Sequence, residues 1–224
     1  MPQQMTRVAT DDALTTIYRM GHDEGEDVIA VRVAERLGVT NPTISSTLGR
    51  LVRDGLIVVG AGKRISLTPT GTTRAESMIR RHRLAECLLV NALGLEWWRA
   101  YEEAHLLEHA ISAVTEPLIQ SFLGRPTHSP FGYPIPGNAP CEPLPAETLM
   151  DVTAGTTVTL DRVFEESQDL LQFFQEAGIR AGVSCTVVEH APARGTVTVS
   201  IGGREAVMGL QPASRVWITR ATDC

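Results

Sequence analysis

Residues 102–112 read EEAHLLEHAIS, and within them lies the pattern H-x-x-E-H: His105, Glu108 and His109. On a helix, residues three and four apart share one side, so two imidazoles and a carboxylate can converge on one point. Imidazole and carboxylate together accept divalent manganese, iron or zinc. Two chemistries are open to such a cluster. It matches the signature of an inverted zinc peptidase, where a metal activates water and the glutamate serves as base. It equally suits a site that only holds a metal ion. The motif by itself does not choose between them.

The chain that must position this cluster has 224 residues, room for two or three small domains. Its hydrophobic fraction of 43% and charged fraction of 21% exclude wholesale disorder. No apolar run approaches the ~20 residues of a membrane helix. The opening MPQQMTRVATDD lacks the apolar core of a signal peptide, so a cytoplasmic protein with no membrane partner is expected. Cys87, Cys141, Cys185 and Cys224 form no C-x-x-C and read as free thiols in a reducing compartment. A net charge of −6 argues against indiscriminate nucleic-acid binding but permits a local basic surface.

Four stretches of different patterning follow one another. Residues 1–73 begin with DDALTTIYRM, an amphipathic helix with Ala13, Leu14, Ile17, Tyr18 and Met20 on its apolar side. Then comes a helix, a turn at Gly38, a second helix, and the strands LIVV and RISL around the hairpin GAGK. Asn41 can cap the second helix with Pro42 in its first turn, and Gly55 ends it. This order is a winged helix-turn-helix, and it predicts double-stranded DNA as partner. The expected contacts are Thr40, Pro42, Thr43, Ser45, Ser46, Thr47 and Arg50 on the second helix, with Lys63 and Arg64 on the wing. The alternative is a small helical domain with a solvated charged face.

Residues 74–124 hold two long helical patterns, the second carrying the H-x-x-E-H. Its apolar stripe of Trp98, Leu106, Ala110, Ile111, Val114, Leu118 and Phe122 predicts pairing with a second copy, hence a homodimer on a palindromic operator. Residues 125–149 hold seven of the thirteen prolines and read as a semi-rigid linker, with His128 a solvated loop residue. Residues 150–224 turn to period-two strands broken by one helix, SQDLLQFFQEAG, and predict a small β-barrel. The fold class is therefore α+β multidomain.

Taken together, VAERLGVTNPTISSTLGRLVRDGLI, LTPTG, RRHRLAECLLVNALGL, EEAHLLEHAIS and SPFGYPIPG resemble the diphtheria toxin repressor family of metal-dependent transcriptional repressors. Within it they look most like the manganese transport regulators. The resemblance covers nearly the whole chain and implies an SH3-like (FeoA-type) barrel at the C-terminus. It also implies a principal metal site of Asp12, His105, Glu108 and His109. Iron-sensing members carry sulfur ligands where this chain has Asp12 and His105, so the harder donors favour Mn²⁺, with Fe²⁺ next and Zn²⁺ or Co²⁺ able to bind in vitro. An ancillary site is implied at His82 and Glu86. Its third family ligand falls on Tyr101, a poor ligand, with Glu102 as substitute and Glu165 and Gln168 as contributions from the barrel. Cys87 points away from that site, into the core.

The expected function is metal-dependent repression of metal-uptake genes, with no catalytic residues and no small-molecule substrate. Two other readings stay open at this point: a zinc metallopeptidase, and a winged-helix regulator whose ligand is not a metal.

Overall fold

The computed structural model describes residues 2–140 and 142–220. Cys141 and Cys224, both expected to be free thiols, lie outside the described residues. Two compact units make up the chain, Met1–His82 with Glu108–Ser112 and Arg83–Leu107 with Ala113–Cys224.

The first unit opens with α1 (Pro2–Tyr18), which widens into a π-helical turn at Arg19–Asp23. Then follow α2 (Ala30–Arg36), α3 (Asn41–Arg53), β1 (Ile57–Val59), β2 (Ile65–Leu67) and the start of α4 (Pro69–Cys87). Leu14, Ile17, Val33, Ile44, Leu51, Ile57 and Ile79 close a core between these elements. Gly38 and Gly55 end α2 and α3 with φ of 63° and 69°, the left-handed conformation expected of them. The cap of α3 is Thr40, one residue earlier than expected. Its extended backbone lets Oγ1 accept from Thr43 N–H at 3.4 Å, and Asn41 becomes the first helical residue. β1 and β2 pair antiparallel, and their turn holds Gly62 and Lys63 at φ of 66° and 60°.

In the second unit α4 runs on to Cys87 and ends in a π-helical turn at Leu88–Ala92. The long helix expected after it is broken into two, α5 (Ala100–Glu108) and α6 (Thr115–Phe122). Pro117 explains the break. Inside one continuous helix it would leave the Ala113 carbonyl without a donor and crowd it with the pyrrolidine ring, so it is tolerated only in a first turn. The remaining elements are β3 (Thr157–Val163), α7 (Gln168–Ala177), β4 (Ser184–Ala191), β5 (Thr196–Ile201), β6 (Arg204–Gly209), α8 (Leu210–Ala213) and β7 (Val216–Thr219). The strands form one antiparallel sheet in the order β6-β5-β4-β3-β7, with irregularities at Leu160/Arg162 and Val187/Glu189. Every strand expected from the period-two pattern is present.

The proline-rich stretch departs from expectation. Phe131, Tyr133 and Ile135 are 0–2% exposed, and the first two join Trp97, Leu160, Phe174, Val199 and Trp217 in one core. A spacer does not bury its aromatic residues; this segment is part of the fold. Its carbonyls are met by buried donors: Arg83 Nη1 donates to Pro134 O at 2.6 Å and Trp97 Nε1 to Pro130 O at 3.0 Å. The Arg83 and Arg162 guanidinium groups lie 5.0 and 5.9 Å from the centre of the Tyr133 ring, and Arg162 lies 4.6 Å from that of Trp217. Prolines in this stretch donate no N–H, so side chains with fixed donors add to the backbone bonds it makes, such as Ser129 N–H to Tyr133 O and Ile135 N–H to Thr127 O.

Gly132 makes the close approach possible. At φ +95° a Cβ would stand 2.1 Å from Asp161 O. Gly132→Ala should therefore cost about 2–4 kcal/mol from backbone strain and overpacking together. Gly155→Ala meets the same unfavourable φ but open space, and should cost about 1–2 kcal/mol. Denaturant unfolding of the two variants checks the order; equal losses would mean that packing against Asp161 contributes nothing.

Candidate metal centres

α5 carries His105 and Glu108 one turn apart, and the helix ends at Glu108, whose carbonyl accepts from Ile111 N–H at 3.3 Å. His109 thus sits in the turn just past the helix and not on its regular face, as the simple helical spacing had implied. Asp12 comes from α1. Its Oδ1 lies 3.7 Å from His109 Nε2, which in turn lies 3.4 Å from Glu108 Oε1. With His105, these residues can offer ligand atoms that all lie within 4.8 Å of one another. Glu108 is buried at 3% exposure, while the side chains of Asp12 and His109 keep 22% and 26%.

A second group lies on α4 and just before α7. His82 and Glu86 stand one turn apart on α4, and Glu165 precedes α7; all three are buried, and their ligand atoms also lie within 4.8 Å of one another. Two buried carboxylates in such proximity repel each other and lose hydration, a cost that a divalent cation offsets. The donors are oxygen and imidazole nitrogen in both groups, with no sulfur. That chemistry fits Mn²⁺, Fe²⁺, Co²⁺ or Zn²⁺.

One contact had no signal in the sequence. His82 Nδ1 and Glu108 Oε2 are 2.7 Å apart, so the histidine of the second group touches the glutamate of the first. An ionised carboxylate only accepts, so in this bond the ring donates from Nδ1. Twenty-six residues separate the pair, and no periodicity relates them.

The other expected ligands are placed less centrally. Glu102 is exposed on α5 and belongs to neither group, so it does not replace Tyr101, which is half-buried. Gln168 is half-buried as the first residue of α7. Cys87 is buried, as expected, and its Sγ lies 3.5 Å from His128 O. Burial, reinforced by the charge of Glu86, pushes its thiol up to about 12, so it stays protonated. His128 is an exposed loop residue beside Thr127.

On α3 the expected DNA-facing residues are mostly solvent-exposed: Pro42, Thr43, Ser45 and Ser46 directly, Arg50 in part, with Thr40 at the cap. Thr47 is the exception. It is 9% exposed and its hydroxyl donates to Thr43 O, so it turns into the helix and offers nothing to a ligand. Lys63 and Arg64 are exposed on the wing, where Arg64 pairs with Asp27 at 2.9 Å.

Comparison with known proteins matches three family models along the chain. Residues 5–63 match the family model of the iron dependent repressor N-terminal DNA binding domain. Residues 68–137 match the iron dependent repressor metal binding and dimerisation domain, and 147–220 the FeoA domain. The diphtheria toxin repressor of Corynebacterium diphtheriae is 33% identical over 208 residues, 88% of this chain and 90% of that one. The iron-dependent repressor IdeR of Mycobacterium tuberculosis is 37% identical over 211 residues, with the same coverage. Among solved structures, a manganese-dependent transcriptional repressor in complex with manganese superposes with a TM-score of 0.87 at 31% identity, over 94% of this chain and 99% of that chain. The manganese regulator SloR follows with 0.79 at 27%, over 94% and 98%.

Binding a metal to either group should stabilise the fold by mass action. At about 100 times the dissociation constant this amounts to about 2.7 kcal/mol per site, a rise in melting temperature of about 5–10 °C for a chain of this length. Calorimetric titration of Mn²⁺ should give two ions per chain, and one in either Asp12→Ala/His109→Ala or Glu86→Gln/Glu165→Gln. A melting temperature indifferent to Mn²⁺ would remove the metal reading of both groups.

Proposed function

The chain belongs to the iron-dependent repressor family of metal-dependent, DNA-binding transcriptional repressors, and from that premise we propose that it is a homodimeric repressor of metal-uptake genes activated by Mn²⁺, with Fe²⁺ next in order. The observation that carries this reading is the meeting of Asp12 with Glu108 and His109. It joins the helix that leads into the winged helix-turn-helix to the H-x-x-E-H segment. Members of this family are repressors and not enzymes, which answers the question raised by the motif. Glu108 itself agrees, since a glutamate 3% exposed and bonded to His82 is badly placed to serve as base for a substrate's water.

Asp12, His105, Glu108 and His109 would hold the activating ion, and His82, Glu86 and Glu165 a second, with Gln168 as a further donor. When bound, the cation supplies the positive charge that draws these carboxylates and imidazoles together. Manganese is preferred on donor chemistry, because neither group contains the sulfur that softer ions favour. The manganese-bound solved relative supports this order, while the curated iron-dependent relatives keep Fe²⁺ in second place. An ion that raises operator affinity about 100-fold needs only about 2.7 kcal/mol of coupling, and the operator raises ion affinity by the same factor.

We assign DNA binding to residues 1–73, metal binding and dimerisation to 74–124, and the FeoA-type barrel to 150–224, with the proline-rich stretch packed beside the barrel. Thr40, Pro42, Thr43, Ser45, Ser46 and Arg50 would face the major groove, with Lys63 and Arg64 on the flanking backbone. Leu93, Leu106, Val114, Leu118 and Phe122 are 66–75% exposed and all fall in the region matched as a dimerisation domain. Apolar side chains so open to water are best covered by a second copy. A symmetric dimer reads a palindromic operator with half-sites about 34 Å apart, or a multiple of that. A repressor of this kind works in the cytoplasm, beside the chromosome.

Gel-shift titration on genomic fragments tests the proposal. Operator affinity should rise about 100-fold with Mn²⁺ and show no rise in Asp12→Ala; equal affinity with and without metal would end it. Leu118→Glu/Phe122→Glu should sediment as a monomer and lose operator binding while still binding metal. A double variant that remains dimeric would move the interface elsewhere.

A further inference from the structure

The first metal group takes ligands from α1 and from the end of α5, so its geometry depends on how α1 is rotated about its own axis. Apolar contacts of Ala13, Leu14 and Ile17, each 0–2% exposed, set the depth of α1. They are non-directional and tolerate small rotations. A directional contact stands next to them. Arg74, near the start of α4, donates from Nε to Asp11 Oδ1 at 2.8 Å, and its Nη2 lies 2.7 Å from the same oxygen. The Asp11 side chain is only 6% exposed, so this is a desolvated carboxylate held from two nitrogens.

We propose that Arg74 is a positioning residue for the metal ligand Asp12, acting through Asp11; the inference rests on the metal reading given above. Successive helical residues point about 100° apart. Fixing Asp11 toward α4 therefore fixes the direction of Asp12, whose Oδ1 lies 3.7 Å from His109. The same helix also steers the other half of the group. Eight residues after Arg74, about 12 Å along the axis at 1.5 Å per residue, His82 bonds Glu108. α4 contributes no ligand to the first group, yet it holds a residue of each helix that does. It is the frame on which the group is assembled.

Charge alone makes the opposite forecast, which gives the test its edge. Arg74 is a cation paired with the residue next to the ligand Asp12, so deleting it should tighten metal binding if electrostatics were its whole effect. A positioning role demands that binding weaken. The experiment uses the full chain and Mn²⁺, with affinity from calorimetry and ligand symmetry from the Mn²⁺ electron paramagnetic resonance spectrum. Arg74→Met should weaken one of the two sites about tenfold and broaden its spectrum, and Arg74→Lys, which keeps a single donor, should recover part of the loss. Asp11→Asn, which keeps the shape and removes the ion pair, should behave like Arg74→Met and guards against a variant that fails to fold. In an Asp12→Asn background, Arg74→Met should have no further effect on affinity. Binding in Arg74→Met that equals or exceeds that of the natural chain, even with a lowered melting temperature of the metal-free protein, overturns the inference alone. A natural chain that binds no Mn²⁺ overturns the metal reading and this inference with it.

Discussion

The short hydrogen bond between His82 and Glu108 is the interaction on which the rest of the candidate site depends. Through Nδ1 His82 holds the glutamate of the first group, and the same residue belongs to the second. Glu86, Glu108 and Glu165 are each 0–3% exposed, and a carboxylate so buried is costly unless a donor or a cation answers it. His82 answers Glu108. Glu86 and Glu165 lie together with His82 in the second group, an oxygen and nitrogen donor set of the kind a divalent ion accepts.

The second unit solves a different problem, how to pack a segment in which many residues are prolines without an N–H. Arg83 and Arg162 are buried at 0% and 2%, and each spends a donor on a carbonyl of the proline-rich region, Pro134 and Pro145. Their planar faces lie against Tyr133 and Trp217, so the same side chains supply hydrogen bonds along one edge and cation–π contact on the other. Arg83 is also the immediate neighbour of His82. Whatever fixes Arg83 therefore also restrains the turn of α4 that carries His82 and Glu86.

The exposed apolar side chains and the inward-facing donors make separate demands on the helical region. Leu106, Leu118 and Phe122 face water, whereas Glu108 faces inward, and the break before α6 lets the chain satisfy both. A continuous helix would carry His109 on in regular register with His105. Ending at Glu108 instead places His109 in a turn, within reach of Asp12.

Much of this was legible in the chain itself. While Asp12, His82, Glu86 and Glu165 were implied only by the family resemblance, alternation of period two located β3 to β7, left-handed glycines marked the ends of α2 and α3, and H-x-x-E-H singled out three donors. These are local signals, because backbone sterics and side-chain spacing act within a few residues. Pro117 carried the break in the second long helix just as locally, though the apolar stripe around it suggested continuity. The burial of Phe131 and Tyr133, by contrast, runs against composition: a proline-dense stretch normally lies in water, and its burial here rests on donors from distant residues such as 83, 97, 162 and 163. Likewise the pairing of Asp11 with Arg74 and of His82 with Glu108 joins residues 63 and 26 positions apart. The sequence determined which residues could ligate; that Asp11 meets Arg74 and His82 meets Glu108 was decided by tertiary structure, since contact between distant segments depends on rotation and depth that no local spacing encodes.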